Sequence, residues 1–131
     1  MNEVTGRFTL DSWNEDVYDE RGGVRLLRVR NTKTFEGGIQ GTSEANLLQV
    51  LAHNDSASYV GMERVHARID GREGDFVLRH SAQGNAEGGS ASIEVVTDSA
   101  SDGLTGLRAT MEITRAPNGE HSYVFKYELP S

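Results

Sequence analysis

The stretch GMERVHARIDGREGDFVLRHS, residues 61 to 81, decides the fold. Val65, Ala67 and Ile69 alternate with Arg64, His66 and Arg68, and Phe76 and Leu78 alternate with Asp75 and Arg79. A period of two is the mark of a strand with one buried face. The Asp-Gly-Arg-Glu segment between the two runs is turn chemistry. Inner positions are odd in the first strand and even in the second, so the loop joining them must hold an even number of residues. A two-residue turn at Gly71-Arg72, or a four-residue loop over 70–73, sets Glu63 opposite His80. A carboxylate and an imidazole then face each other on the apolar side of a hairpin.

The same punctuation recurs along the chain, with 15 glycines and 2 prolines grouped between runs rich in Val, Thr, Tyr, Phe and Leu. No long helical period is present. The runs read as eight strands: 3–14, 24–36, 39–53, 57–70, 73–83, 88–98, 104–115 and 121–129. Most connections are of hairpin length, so successive strands are expected to be antiparallel neighbours. An open meander of eight strands would leave long edges, whereas closure removes them. The expected fold is all-β, an eight-stranded antiparallel up-and-down barrel, in one domain over residues 1–131.

Bulk properties narrow the function. A chain of 131 residues with 36% hydrophobic content can bury about two-thirds of its unfolded surface without staples. Its formal net charge of -7 opposes nucleic acid, and no Lys/Arg cluster offers an anchor for a membrane surface. Cysteine is absent, which removes disulfides, thiolate nucleophiles and Cys-based zinc sites. His53, His66, His80 and His121 are too scattered to suggest a metal centre. Ser90 and Ser92 in GGSAS lack a nucleophile elbow, and no glycine-rich segment has phosphate-loop spacing, so no cofactor is expected. There is no apolar run of roughly 20 residues and no signal-like start, which makes a cytoplasmic location the expectation.

Register indicates what lines the barrel. A turn at Asp55-Ser56 would pair Leu48 with Glu63 and turn Glu44, Asn46, Leu48, Val50 and Ala52 inward. A Gly37-Gly38 turn then puts Leu27, Val29, Asn31, Lys33 and Phe35 inside. The other face of 39–53 carries Leu47 and Leu51 and is no less apolar; flipping that strand would remove Glu44 and Asn46 from the lumen. In the last two strands the inner faces are Ala109, Met111 and Ile113, and Tyr123, Phe125, Tyr127 and Leu129. The candidate ligand contacts are therefore Asn31, Lys33, Glu44, Asn46, Tyr59, Phe76, Leu78, Met111, Tyr123, Phe125 and Tyr127.

Glu63 and His80 are the candidate catalytic pair. Burial opposes charging either alone while opposite charge favours both, which can place a proton usefully near neutral pH. The competing reading is a buried pair that pins strand register. Lys33 and Glu44 sit one step off register and suggest an internal ion pair. With 39–53 facing as drawn, Leu47, Leu51, Val60 and Met62 form an outer apolar patch, which predicts a homodimer or higher oligomer.

Five pieces carry a resemblance: DSWNEDVYDE, NTKTFEGGIQGTSEA, SYVGMERV, GREGDFVLRHS and SDGLTGLRA. Taken in order along nearly the whole chain, they resemble the DUF3224 family, small bacterial barrels of a domain of unknown function. That family is similar in fold to allene oxide cyclases. Two departures, the glycine-free Asn54-Asp55-Ser56 and Ala109 in TGLRA, bear on local turn shape. The resemblance implies a barrel with a cavity and a tendency to oligomerise, and fold relatives that mould a reactive substrate with few catalytic groups. Lipocalins fit worse, because Trp13 follows Asp11 and Ser12 where they offer glycine; cupins need a His-x-His pair.

The combined expectation is a barrel binding a small apolar or amphipathic molecule, with cofactor-free isomerisation or cyclisation by Glu63 and His80. A non-catalytic carrier or sensor, and a structural or oligomerisation module with a filled core, are the alternatives.

Overall fold

A computed structural model describes residues 1–130. Eight strands form one closed ring in chain order: β1 (Asn2–Arg21), β2 (Val24–Gly37), β3 (Ile39–Leu51), β4 (Ala57–Ile69), β5 (Arg72–Asn85), β6 (Gly88–Val95), β7 (Arg108–Arg115) and β8 (His121–Glu128). Every neighbouring pair is antiparallel, including the closing pair β1–β8. The up-and-down barrel expected from the alternation is the fold observed.

Turn chemistry sets the ring's register. Gly22-Gly23 and Asp70-Gly71 each hold both central residues at positive φ, the backbone of a tight hairpin whose twist matches its strands. The second turn pairs Ile69 with Arg72, one residue earlier than a Gly71-Arg72 turn would, so Glu63 lies opposite Leu78 and His80 opposite Gly61. The inward facing of both strands survives, because either turn holds two residues.

The strand 39–53 is flipped relative to the drawing in which Glu44 and Asn46 face inward. Five residues separate Phe35 from its partner Gly41, and five separate Leu51 from Ala57. An odd count at both ends reverses the facing of β3 and leaves β2 and β4 in phase. The β3–β4 connection reaches its odd count through a short 3-10 turn, His53–Asp55, with Asn54 and Asp55 both left-handed. Consequently Ile39, Ser43 and Ala45 are buried while Glu44, Asn46 and Leu48 are exposed.

One end of the lumen is filled. Phe8, Phe35, Ile39, Val65, Ile69, Phe76, Leu78, Met111, Tyr123, Phe125 and Tyr127 belong to one buried cluster. Phe76 and Phe125 come from strands that are not neighbours, and their rings meet across the axis at 6.0 Å. Burying a side chain of this size contributes roughly 1.5–3 kcal/mol. The Tyr123 hydroxyl donates to the carbonyl of Glu36 at 2.7 Å and accepts from the Ile39 amide at 2.8 Å, tying β8 to the β2–β3 turn.

The ring is uneven. β6 and β7 share a single cross-strand pair, Glu94 with Thr110. The expected strands 88–98 and 104–115 are shorter than drawn, since left-handed Asp98 and Gly106 interrupt them. The intervening segment covers β5 instead: the Val96 and Ser101 amides donate to Val77 and Asp75 carbonyls, and Leu104 and Leu107 are buried.

Candidate functional site

Beyond the filled cluster, the inner wall carries a polar group from four adjacent strands. β2 supplies Asn31 and Lys33, β3 supplies Ser43, β4 supplies Tyr59 and Glu63, and β5 supplies His80. Alternation puts each of them inward, and apart from Tyr59, which is partly buried, all are classed as buried.

Glu63 is the hub. His80 Nε2 lies 2.7 Å from its Oε1, Ser43 Oγ lies 2.5 Å from Oε2, and Lys33 Nζ is 3.3 Å from Oε2. Lys33 also sits 4.7 Å above the Phe8 ring. Burial alone would push this carboxyl up, but the His80 and Ser43 hydrogen bonds and the charges of Lys33 and His80 outweigh it and hold the pKa at about 2. Glu63 is therefore ionised, with both oxygens occupied by donors of its own chain.

An ionised carboxylate only accepts, so His80 Nε2 carries the proton and, in the neutral ring, Nδ1 is the bare acceptor. Nδ1 faces the Tyr59 hydroxyl at 3.5 Å, a long contact that leaves room for competition. Burial, followed by the Glu63 charge, raises the Tyr59 phenol above its ordinary value and keeps it protonated. Glu63, ionised near neutrality, has no proton to give. Asn31, 2% exposed, holds its Oδ1 buried with no hydrogen-bond partner. An unpaired buried carbonyl is costly, about 1–3 kcal/mol, and calls for a donor.

The expected residues divide. Asn31, Lys33, Tyr59, Glu63 and His80 share this group. Phe76, Leu78, Met111, Tyr123, Phe125 and Tyr127 are all buried in the packed cluster. Glu44 and Asn46 point outward, and the expected Lys33–Glu44 pair does not form: Glu44 binds Arg30 at 2.8 Å on the outer face, and Lys33 binds Glu63. The cause is the odd connection at each end of β3. Ser43 is the member that sequence reasoning missed, and the same inversion hid it; the parity of the β2–β3 and β3–β4 loops was the signal that could have revealed it. Among the described residues no cluster of three or more His, Cys, Asp or Glu side chains could hold a metal ion. Among the described residues, no helix is long and apolar enough to cross a membrane.

The fold and this group define a closed antiparallel barrel packed at one end and polar within. The model of the family described as protein of unknown function (DUF3224) matches residues 4–127, and the chain belongs to that family. It is similar to a solved structure of a DUF3224 protein of unknown function from Shewanella oneidensis MR-1, with 34% identity and a TM-score of 0.90 over 100% of this chain and 99% of that one. Among curated proteins none matches.

Proposed function

We propose that this barrel binds a small, largely apolar molecule bearing one hydrogen-bond donor at the polar group of the lumen, and that His80 moves a proton there without a cofactor. The observation that carries the reading is a buried acceptor with no partner, Asn31 Oδ1, on the same inner wall as an imidazole whose Nδ1 has only the long Tyr59 contact and whose Nε2 is fixed by a carboxylate. A buried charged cluster stabilises a fold poorly against apolar replacements, which supports a role beyond stability. Asn31 orients the ligand through its donor, Tyr59 yields its contact with Nδ1, and His80 accepts and returns a proton. Isomerisation or cyclisation of an enone, polyene or epoxide asks for no more than this.

The test is a binding and turnover screen with such compounds on wild type and His80→Gln. Binding retained with turnover lost in the variant supports the enzyme. Binding unchanged in both without turnover favours a carrier or sensor. The packing of Phe76 against Phe125 across the axis favours a different reading, a filled structural module, and saturable binding of no compound would select it.

Self-association belongs to the same proposal, through a corrected surface. Leu47 and Leu51 turn inward, so the outer patch is Leu48, Val60 and Met62, each about half exposed in a groove of about 640 Å³. Leu48 pairs directly with Val60 and Asn46 with Met62, which makes the patch continuous over β3 and β4. Light scattering on wild type and Val60→Lys tests it: a dimeric mass that falls to monomeric in the variant supports the interface, and a monomeric wild type overturns it.

A further inference from the structure

β1 changes status partway along its length. From Asn2 to Phe8 it pairs with β8, flanked by β2 as well from Gly6, but from Thr9 to Arg21 its only strand partner is β2. In an antiparallel strand alternate residues direct both N–H and C=O to the same side. Every second residue of this stretch therefore turns both groups toward a side with no strand. Register breaks between Leu10 and Ser12 and between Val17 and Asp19 bracket a regular run, Ser12–Val17, opposite Thr32 to Leu27. Such breaks blunt an edge, and here they leave one usable segment between them.

Side chains on this edge add to the backbone's incompleteness. Trp13, Val17 and Tyr18 are 46%, 40% and 43% exposed. Trp13, Glu15 and Val17 share the face of Asn31, Val29 and Leu27, their cross-strand partners, while Ser12, Asn14 and Asp16 take the other face. Charge selects the occupant. Between Thr9 and Arg21, Asp11, Glu15, Asp16, Asp19 and Glu20 stand against one cation of the strand, Arg21, which pairs with Asp19 at 3.2 Å. The arginines of β2 reach them only loosely, Arg28 to Asp16 at 3.9 Å and Arg25 to Glu20 at 3.7 Å, and exposed pairs of this kind neutralise little.

We propose that the Ser12–Val17 edge accepts an extended basic segment of another protein as an added strand, its residues alternating between apolar and Lys or Arg. The apolar ones cover Trp13 and Val17, on the face where Glu15 accepts from the Trp13 indole, and the cationic ones meet Asp16 on the other face. A second copy pairing through the same edge would oppose acid to acid, which is unfavourable across strands. The free edge of β6 from Gly88 to Ile93 carries small uncharged side chains in its first residues and offers no such selection.

Trp13 is the sole tryptophan, so its emission reports this edge directly. The probe is an end-blocked peptide of alternating valine and lysine. The expected result is a saturable shift of Trp13 emission with affinity about tenfold above that for the valine–glutamate counterpart. N-methylation of every second peptide amide, those facing the edge, should abolish it, and Asp16→Lys should abolish the charge preference while leaving the circular dichroism unchanged. Equal response to both charges, equal binding of the N-methylated peptide, or no shift at saturating peptide would each overturn the proposal.

Discussion

Glu63 and His80 meet on a diagonal: Glu63 is level with Leu78 and His80 with Gly61, yet Nε2 and Oε1 are 2.7 Å apart. Long side chains bridge diagonal neighbours on one face of a sheet. Gly61, opposite His80, presents no side chain of its own on the inner wall, and a methyl group there would meet the Asn46 carbonyl and Leu47.

Glu63→Gln removes the charge that offsets Lys33 and orients His80. Chemical denaturation should show a loss of about 3–5 kcal/mol, the usual result of breaking a buried pair. A cycle with His80→Gln should give a coupling of about 0.5–3 kcal/mol. Coupling near zero would mean that the two side chains do not share the contact seen here.

Acid stability should carry the signature of the same carboxyl. Its folded pKa of about 2 lies below the ordinary value of 4.5, so its stabilisation is present above pH 4.5 and is lost as pH falls through 2. The order of magnitude is about 3 kcal/mol. Stability measured from pH 5 to 2 should decline more steeply in wild type than in Glu63→Gln, and parallel curves would refute the assignment.

On the outer face, His66 Nδ1 hydrogen-bonds Asp75. That bond, opposed by desolvation and helped by the charges of Asp75, Glu73 and Asp102, raises the His66 pKa. The contribution to stability is complete below the ordinary value of 6.5 and fades as pH rises through the folded one. An NMR titration should place His66 above 6.5 in wild type and nearer to it in Asp75→Asn; an unchanged midpoint in the variant would exclude the bond as the cause.

Tyr123→Phe leaves the Ile39 amide and the Glu36 carbonyl without their shared partner. The expected cost is about 1–3 kcal/mol in a denaturant melt. Gly6→Ala should be harmful for a related reason, since a methyl group there would collide with the Glu36 carbonyl and the Tyr123 hydroxyl. Wild-type stability in both variants would show that this tie carries no strain or energy.

Strand alternation made the barrel legible from residues 61–81, because facing depends only on whether a loop is odd or even. Level depends on the turn's position, and the choice between Asp70-Gly71 and Gly71-Arg72 is a matter of local φ that either glycine-containing pair could satisfy. β3 was harder, since Leu47 and Leu51 on one face and Leu48 and Val50 on the other give no apolar contrast. The odd connections on its two sides cancel, so alternation alone gives β2 and β4 their true facing and puts Glu44 where Ser43 lies. The open edge of β1 had no local signal at all: it follows from the shortness of β8 and from where β8 pairs, which is a property of the whole ring.

The single pair joining β6 to β7 makes the closed ring a curled sheet with a latch. Releasing Glu94 from Thr110 parts that seam, and His80 lies next to it, level with Ile93 on β6. A sideways route through the wall would then join the axial one from the end away from the aromatic cluster. Hydrogen exchange gives this a measurable form: the amides at Glu94 and Thr110 should open well before those of the β3–β4 ladder, and a crosslink across the latch should slow whatever reaches His80.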